Sequence, residues 1–205
     1  MEENKITLSG GSAAPEEKKS GQWVEKLRYS KSFVAKLSLS EPKVKEYYAA
    51  LATRLLSYDR VRSRMSWSGV TFQTGRSQLA RFVINGKTLC LYLALSPKEY
   101  GEGKYRTLDA SEKKKYEKTP ALLKIRSEGA LRHALSLIDQ LAASFELRER
   151  PGGISPILPR YFPADSFGNL MTRGLIRLLK TGKPGVAGTE APEEDNAAEE
   201  PSWDL

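Results

Sequence analysis

Apolar and polar positions alternate along RVRSRMSWSGVTFQTGRSQLARFVINGKTLCLYLAL, the stretch from Arg60 to Leu95, and predict three antiparallel strands at about 60–67, 78–84 and 87–95. Asn85-Gly86, set between two alternating runs, is a strong hairpin signal. A two-residue loop there sets Ile84 against Lys87, Phe82 against Leu89 and Ala80 against Leu91. One face is then apolar, and Arg81, Val83, Cys90 and Tyr92 share the other. In the first strand Val61, Met65 and Trp67 alternate with Arg60, Arg62 and Arg64. Leu89, Leu91, Leu93 and Leu95 look one way and Cys90, Tyr92 and Ala94 the other, which predicts a central strand.

SFVAKLSLS alternates too, with Phe33, Ala35, Leu37 and Leu39 on one side, and predicts an edge strand. Ser40-Glu41-Pro42 predicts a helix start with Ser40 as the N-cap. That helix runs to about Tyr58, with Val44, Tyr47 or Tyr48, Leu51, Leu55 and Tyr58 as its core stripe and Lys43, Lys45 and Arg54 in water. Residues 97–119 form a polar, lysine-rich excursion. ALLKIR resumes a strand with Lys124 and Arg126 outward, and Ser127 caps a second long helix reaching about Leu147.

The chain thus divides into a disordered segment 1–29, an α+β domain 30–148, a proline-rich linker or wrapping segment 149–166, a short basic amphipathic helix 167–181 and an acidic disordered tail 182–205. The expected order is β-α-β-β-β-β-α: an antiparallel sheet of about five strands, two long helices on one face, the opposite face open.

Charge sharpens this division. Residues 21–150 carry 25 basic and 13 acidic groups, whereas residues 186–205 carry seven acidic and none basic. The acidic tail could shield the basic body from its partners. A single cysteine, Cys90, excludes an internal disulfide and fits a reducing, cytoplasmic setting; in an apolar strand it reads as a small hydrophobe. No apolar run approaches the ~20 residues a spanning helix needs, and the N-terminus lacks a signal-peptide pattern.

Catalytic chemistry finds little to stand on. His133 is the one histidine, so neither a zinc cluster nor a Ser-His-Asp arrangement has support. Tyr100-Gly101-Glu102-Gly103-Lys104 lacks the phosphate-loop spacing. No cofactor and no metal are called for.

The outward basic residues Arg62, Arg64, Arg81, Lys124 and Arg126, with Tyr92 among them, admit two readings. Guanidinium groups on rigid strands suit phosphate oxygens, and Tyr92 offers a base a stacking platform. Alternatively the face is merely solvated and pairs with Asp59, Asp109 or Glu112. The run Lys113, Lys114, Lys115 and Lys118 admits the same pair of readings. The first reading predicts a non-enzymatic module for an anionic partner, nucleic acid above all, with weak sequence preference. An alternative is a protein-interaction adaptor that recognises its partner through Arg173 and Arg177 on the 167–180 helix and through Trp203 in the tail.

The block KSFVAKLSLSEPKVKEYYAALATRLLSYDRVRSRMSWSGVTFQTGRSQLARFVINGKTLCLYLAL, with KYEKTPALLKIRSEGALRHALSLIDQL, resembles a domain of unknown function in many Firmicutes-type bacterial proteins. Those carry SFxAKL, ELLSYxxVxSRxSW, GRxQLAK and GKTLxLYLAL stretches. The resemblance covers residues 31–147. The helix–SW–strand–GK–strand pattern over residues 45–95 is also similar to the small α+β domains of the YdhG and YjbR type. The resemblance implies at most a DNA-binding role and transfers no site residue.

Overall fold

The computed structural model describes residues 28–99 and 107–179. Along the chain come β1 (Arg28–Lys31), α1 (Phe33–Ser38), α2 (Pro42–Leu56), β2 (Val61–Ser66), β3 (Gly69–Thr74), β4 (Ser77–Asn85), β5 (Thr88–Leu93), β6 (Leu108–Asp109), β7 (Ala121–Ile125), α3 (Glu128–Ser144), α4 (Phe167–Thr172) and β8 (Ile176–Leu179). Six strands form one antiparallel sheet in the order β2-β3-β4-β5-β7-β6, and β1 pairs with β8 in a separate ribbon. The fold is α+β, with two long helices against one face of the sheet.

The core lies between that face and the helices. Phe72, Phe82, Leu89, Leu91, Leu93 and Ile125 meet Leu51, Leu55, Leu137, Ile138 and Leu141 in one cluster. At its centre the Tyr48 ring meets Phe33, Phe82 and Phe162 edge-on, each at 5.4 Å between centroids.

The hairpin register differs from expectation by two residues. Asn85 pairs with Thr88 and Ile84 with Leu89, so Gly86-Lys87 form the turn. Gly86 takes φ +59° at the first turn position, where a primed hairpin turn needs it. A shift of two preserves the alternation, so each side chain keeps its expected face. The segment between the first two expected strands is itself a strand, β3, inserted between β2 and β4. A bulge at Leu79 separates the pairs Phe72–Ala80 and Gln73–Gln78, and sends Leu79 into the core beside Ala80.

Gly69 opens β3 where backbones nearly touch: a Cβ there would stand 2.2 Å from the Phe82 carbonyl oxygen. Gly69→Ala is therefore expected to cost about 2 kcal/mol or more in chemical denaturation. Gly168→Ala in α4, which has open space around it, should cost nothing; equal effects would contradict this packing.

The expected edge strand at 31–39 is instead α1. Ser32 caps it, its Oγ accepting the Ala35 N–H. Phe33 and Leu37 enter the main core, while Ala35 faces a smaller cluster with Leu170 and Ile176. A helix wedged between two apolar surfaces needs apolar residues on both sides, which mimics strand alternation over so short a span. Ser40 is not the cap of α2: its hydroxyl donates to the Lys36 carbonyl, and Glu41 occupies the N-cap without a side-chain bond. Lys45, expected in water, is only 7% exposed, its stem laid over the apolar surface.

The expected helix at 167–181 ends at Thr172. Gly174 adopts φ +73°. The Gly174 and Leu175 N–H groups donate to the Met171 and Leu170 carbonyls, closing a Schellman motif. The chain then extends as β8. The 149–166 segment wraps the domain: Arg150 N–H donates to the Ser57 carbonyl, Ile157 N–H to Thr53 Oγ1, and Phe162 packs on Tyr48.

Candidate functional site: the outer face of the sheet

Strand pairing decides which side chains share the face opposite the helices. Arg64 pairs with Thr71, Thr71 with Arg81, Arg81 with Tyr92 and Tyr92 with Leu122, which places one row across five strands. Arg62 is two residues from Arg64 on β2, and Lys124 pairs with Cys90 on the same side. Arg126 follows just beyond β7. All the basic residues expected on this face are therefore brought to it. From Arg60 through Leu95 the chain contains no acidic residue, and neither does β7.

The centre of the face is covered, against expectation. Val83, Cys90 and Tyr92 form a small apolar cluster with Ala110, Tyr116 and Leu122. A 3-10 turn at Lys114–Tyr116 lays the Tyr116 ring flat on Tyr92, with centroids 3.9 Å apart and planes within 3°. Tyr92 is 4% exposed, and burial raises its pKa. It cannot serve as a platform for a base. What the sequence offered in advance was a lone aromatic inside a lysine run, a signal without periodicity.

Two cationic margins remain. On one side Arg62 and Arg64 stand exposed on β2, and on the other Lys124 and Arg126 are exposed. The margins are four strands apart, about 19 Å at ordinary strand spacing. Among the described residues no carboxylate pairs with any of the four; Asp59 pairs with Arg60, and Asp109 accepts the Ser111 N–H.

Between the margins Arg81 is half-buried. Its Nη2 donates to Ser68 Oγ at 2.9 Å, and Lys115 Nζ donates to the same hydroxyl at 3.3 Å. Two cations thus converge on one neutral oxygen. Burial pulls the Arg81 pKa down, and its buried Nε–H has no partner among the described residues. Ser68 sits in the β2–β3 turn, outside the strand pattern that nominated the arginines, whereas Lys115 belongs to the lysine run already singled out in the sequence.

The C-terminal candidates are engaged internally. Arg173 Nη1 bonds Asp165 Oδ2 at 3.0 Å. Arg177 lies on β8, not on a helix, with its guanidinium 4.1 Å from the Trp67 ring centroid. The Trp67 indole N–H donates to Ser30 Oγ. Arg173 and Arg177 therefore do not share a helix; Trp203 and the Tyr100–Lys104 motif lie outside the described residues.

Cys90 is 1% exposed, and burial raises its thiol pKa. It should resist a thiol-specific reagent in the native protein and react within seconds after denaturation, as followed by absorbance; rapid native reaction would show that the Tyr116 cover opens freely. Among the described residues no group of three potential metal ligands exists, and no helix is long and apolar enough to cross a membrane.

No family model, curated protein or solved structure matches this chain.

Proposed function

We propose that this protein is a non-enzymatic binding module whose outer sheet face engages the phosphate backbone of nucleic acid. One observation carries the reading: Arg62, Arg64, Arg81, Lys124 and Arg126 share a sheet face whose strands β2, β3, β4, β5 and β7 contain no acidic residue. A guanidinium or ammonium held on a rigid strand meets a phosphate with little ordering cost.

Ser68, Arg81 and Lys115 form the natural seat for one phosphate. A phosphate oxygen beside Ser68 would lie within reach of both the Arg81 guanidinium and the Lys115 ammonium. With Tyr92 covered by Tyr116, the stacking platform expected from the sequence is closed, so this reading rests recognition on backbone charge. The adaptor alternative draws less support from this region, because α4 ends at Thr172 and Arg173 and Arg177 contact Asp165 and Trp67, while its Trp203 element lies outside the described residues.

The test is fluorescence anisotropy with labelled duplexes of unrelated sequence and with matched single strands. Duplexes of different sequence should bind within about threefold of one another, since phosphate contacts carry no sequence information. Absence of binding at low salt would reject the proposal.

A further inference from the structure

A second concentration of cations shares no residue with the outer face. Where β1, α1, the start of α2 and the β4–β5 turn converge, a cavity of about 330 Å³ is lined by Lys31, Lys36, Leu39, Ser40, Glu41, Gly86 and Lys87. The three lysines come from three separate elements. Lys31 ends β1, Lys36 lies in the last turn of α1, and Lys87 is the second residue of the hairpin turn.

The surroundings do not neutralise them. One carboxylate, Glu41, lines the cavity against three ammonium groups, and among the described residues none of the three lysines forms an ion pair. Burial, and to a smaller extent the neighbouring Lys31 charge, depress the Lys36 pKa. Lys31 Nζ also stands 5.4 Å from the Phe167 ring centroid, a contact that helps fix where its charge lies. At Gly86 nothing lies within 4 Å of where a Cβ would project, so the backbone of the turn stays approachable.

We propose that this cavity binds a compact, doubly charged oxyanion: the phosphate or pyrophosphate group of a small ligand. Three lysines against one glutamate leave a net charge of two, which a dianion balances. The volume is at the small end for ligand pockets, which open at roughly 300 Å³. Ammonium groups act as point charges and suit a phosphate that can present its oxygens in several directions.

The experiment is a titration of the full-length, ¹⁵N-labelled protein with sodium pyrophosphate at constant ionic strength, read by amide shifts. Saturable shifts at Lys36, Ser40, Glu41, Gly86 and Lys87 are expected. Lys87→Gln, an exposed turn substitution, should weaken that binding about tenfold, the loss of one charge-assisted hydrogen bond. Lys36→Gln should do the same. Shifts that fail to saturate, or an unchanged affinity in both variants, would overturn the proposal. Shifts confined to Arg62, Arg64 and their β2 neighbours would overturn it too, while leaving the outer-face reading intact. Saturable shifts at the cavity in a protein that fails to bind duplex DNA would reverse that pattern.

Discussion

Reversing two charges together, Arg62→Glu with Arg64→Glu, should reduce affinity for duplex DNA by a factor of about 100 or more while leaving the fold almost untouched. Both side chains are exposed on the edge strand β2 and no described carboxylate pairs with them, so their removal strands no buried partner. Exposed substitutions of this kind usually change stability by about 0.5 kcal/mol or less, a shift of a few degrees in Tm at most. Each lost charge-assisted contact is worth about 1.5 kcal/mol or more, and the introduced carboxylates repel phosphate in addition. The pair is a cleaner probe than Arg81, whose half-buried guanidinium holds Ser68. An unchanged affinity would remove the β2 margin from the interface. A collapse in Tm would show that these arginines support the fold instead.

The second large effect concerns the C-terminal wrap. Truncation after Glu149 removes Leu170 and Ile176, which are 0% and 3% exposed and form a cluster with Ala35. It also strips Ile157 and Phe162 from the main core and leaves β1 without its only strand partner in the described structure. The indole of Trp67 loses the Arg177 guanidinium. Fully burying one such apolar side chain contributes about 1.5–3 kcal/mol. Four of them, even when partly buried, approach the entire stability of about 5–15 kcal/mol typical of a domain. The truncated chain should melt at least about 15 °C lower by circular dichroism, or lose its cooperative transition. Retention of the full-length Tm would mean that residues 150–179 are an appendage. Any loss of binding in such a truncation must accordingly be read beside its melting curve.

Much of the sheet was legible because face assignment depends only on alternation. Phe82 and Leu91 on the core side, and Arg81 and Tyr92 opposite, hold in the structure even though the turn moved from Asn85-Gly86 to Gly86-Lys87. The two long helices were legible from their stripes and from Pro42 and Ser127 at their starts.

Elsewhere local pattern was insufficient. Val70 and Phe72 alternate over a span too short to outweigh the turns flanking β3. Phe33, Ala35 and Leu37 look like a strand because α1 is apolar on two sides. The expected helix at 167–181 stops because Gly174 takes a left-handed conformation and Ile176 is captured by β1. In the site, the five basic positions followed from strand parity alone. The cover over Tyr92 did not, because it depends on one ring, Tyr116, reaching across from a 3-10 turn.

The most direct measurement is the salt dependence of duplex binding by the full-length protein. With three or more phosphates neutralised, the logarithm of the association constant should fall against the logarithm of salt concentration with a slope of about −3 or steeper. A flat line between low and physiological salt would mean that the cations of this face meet no phosphate.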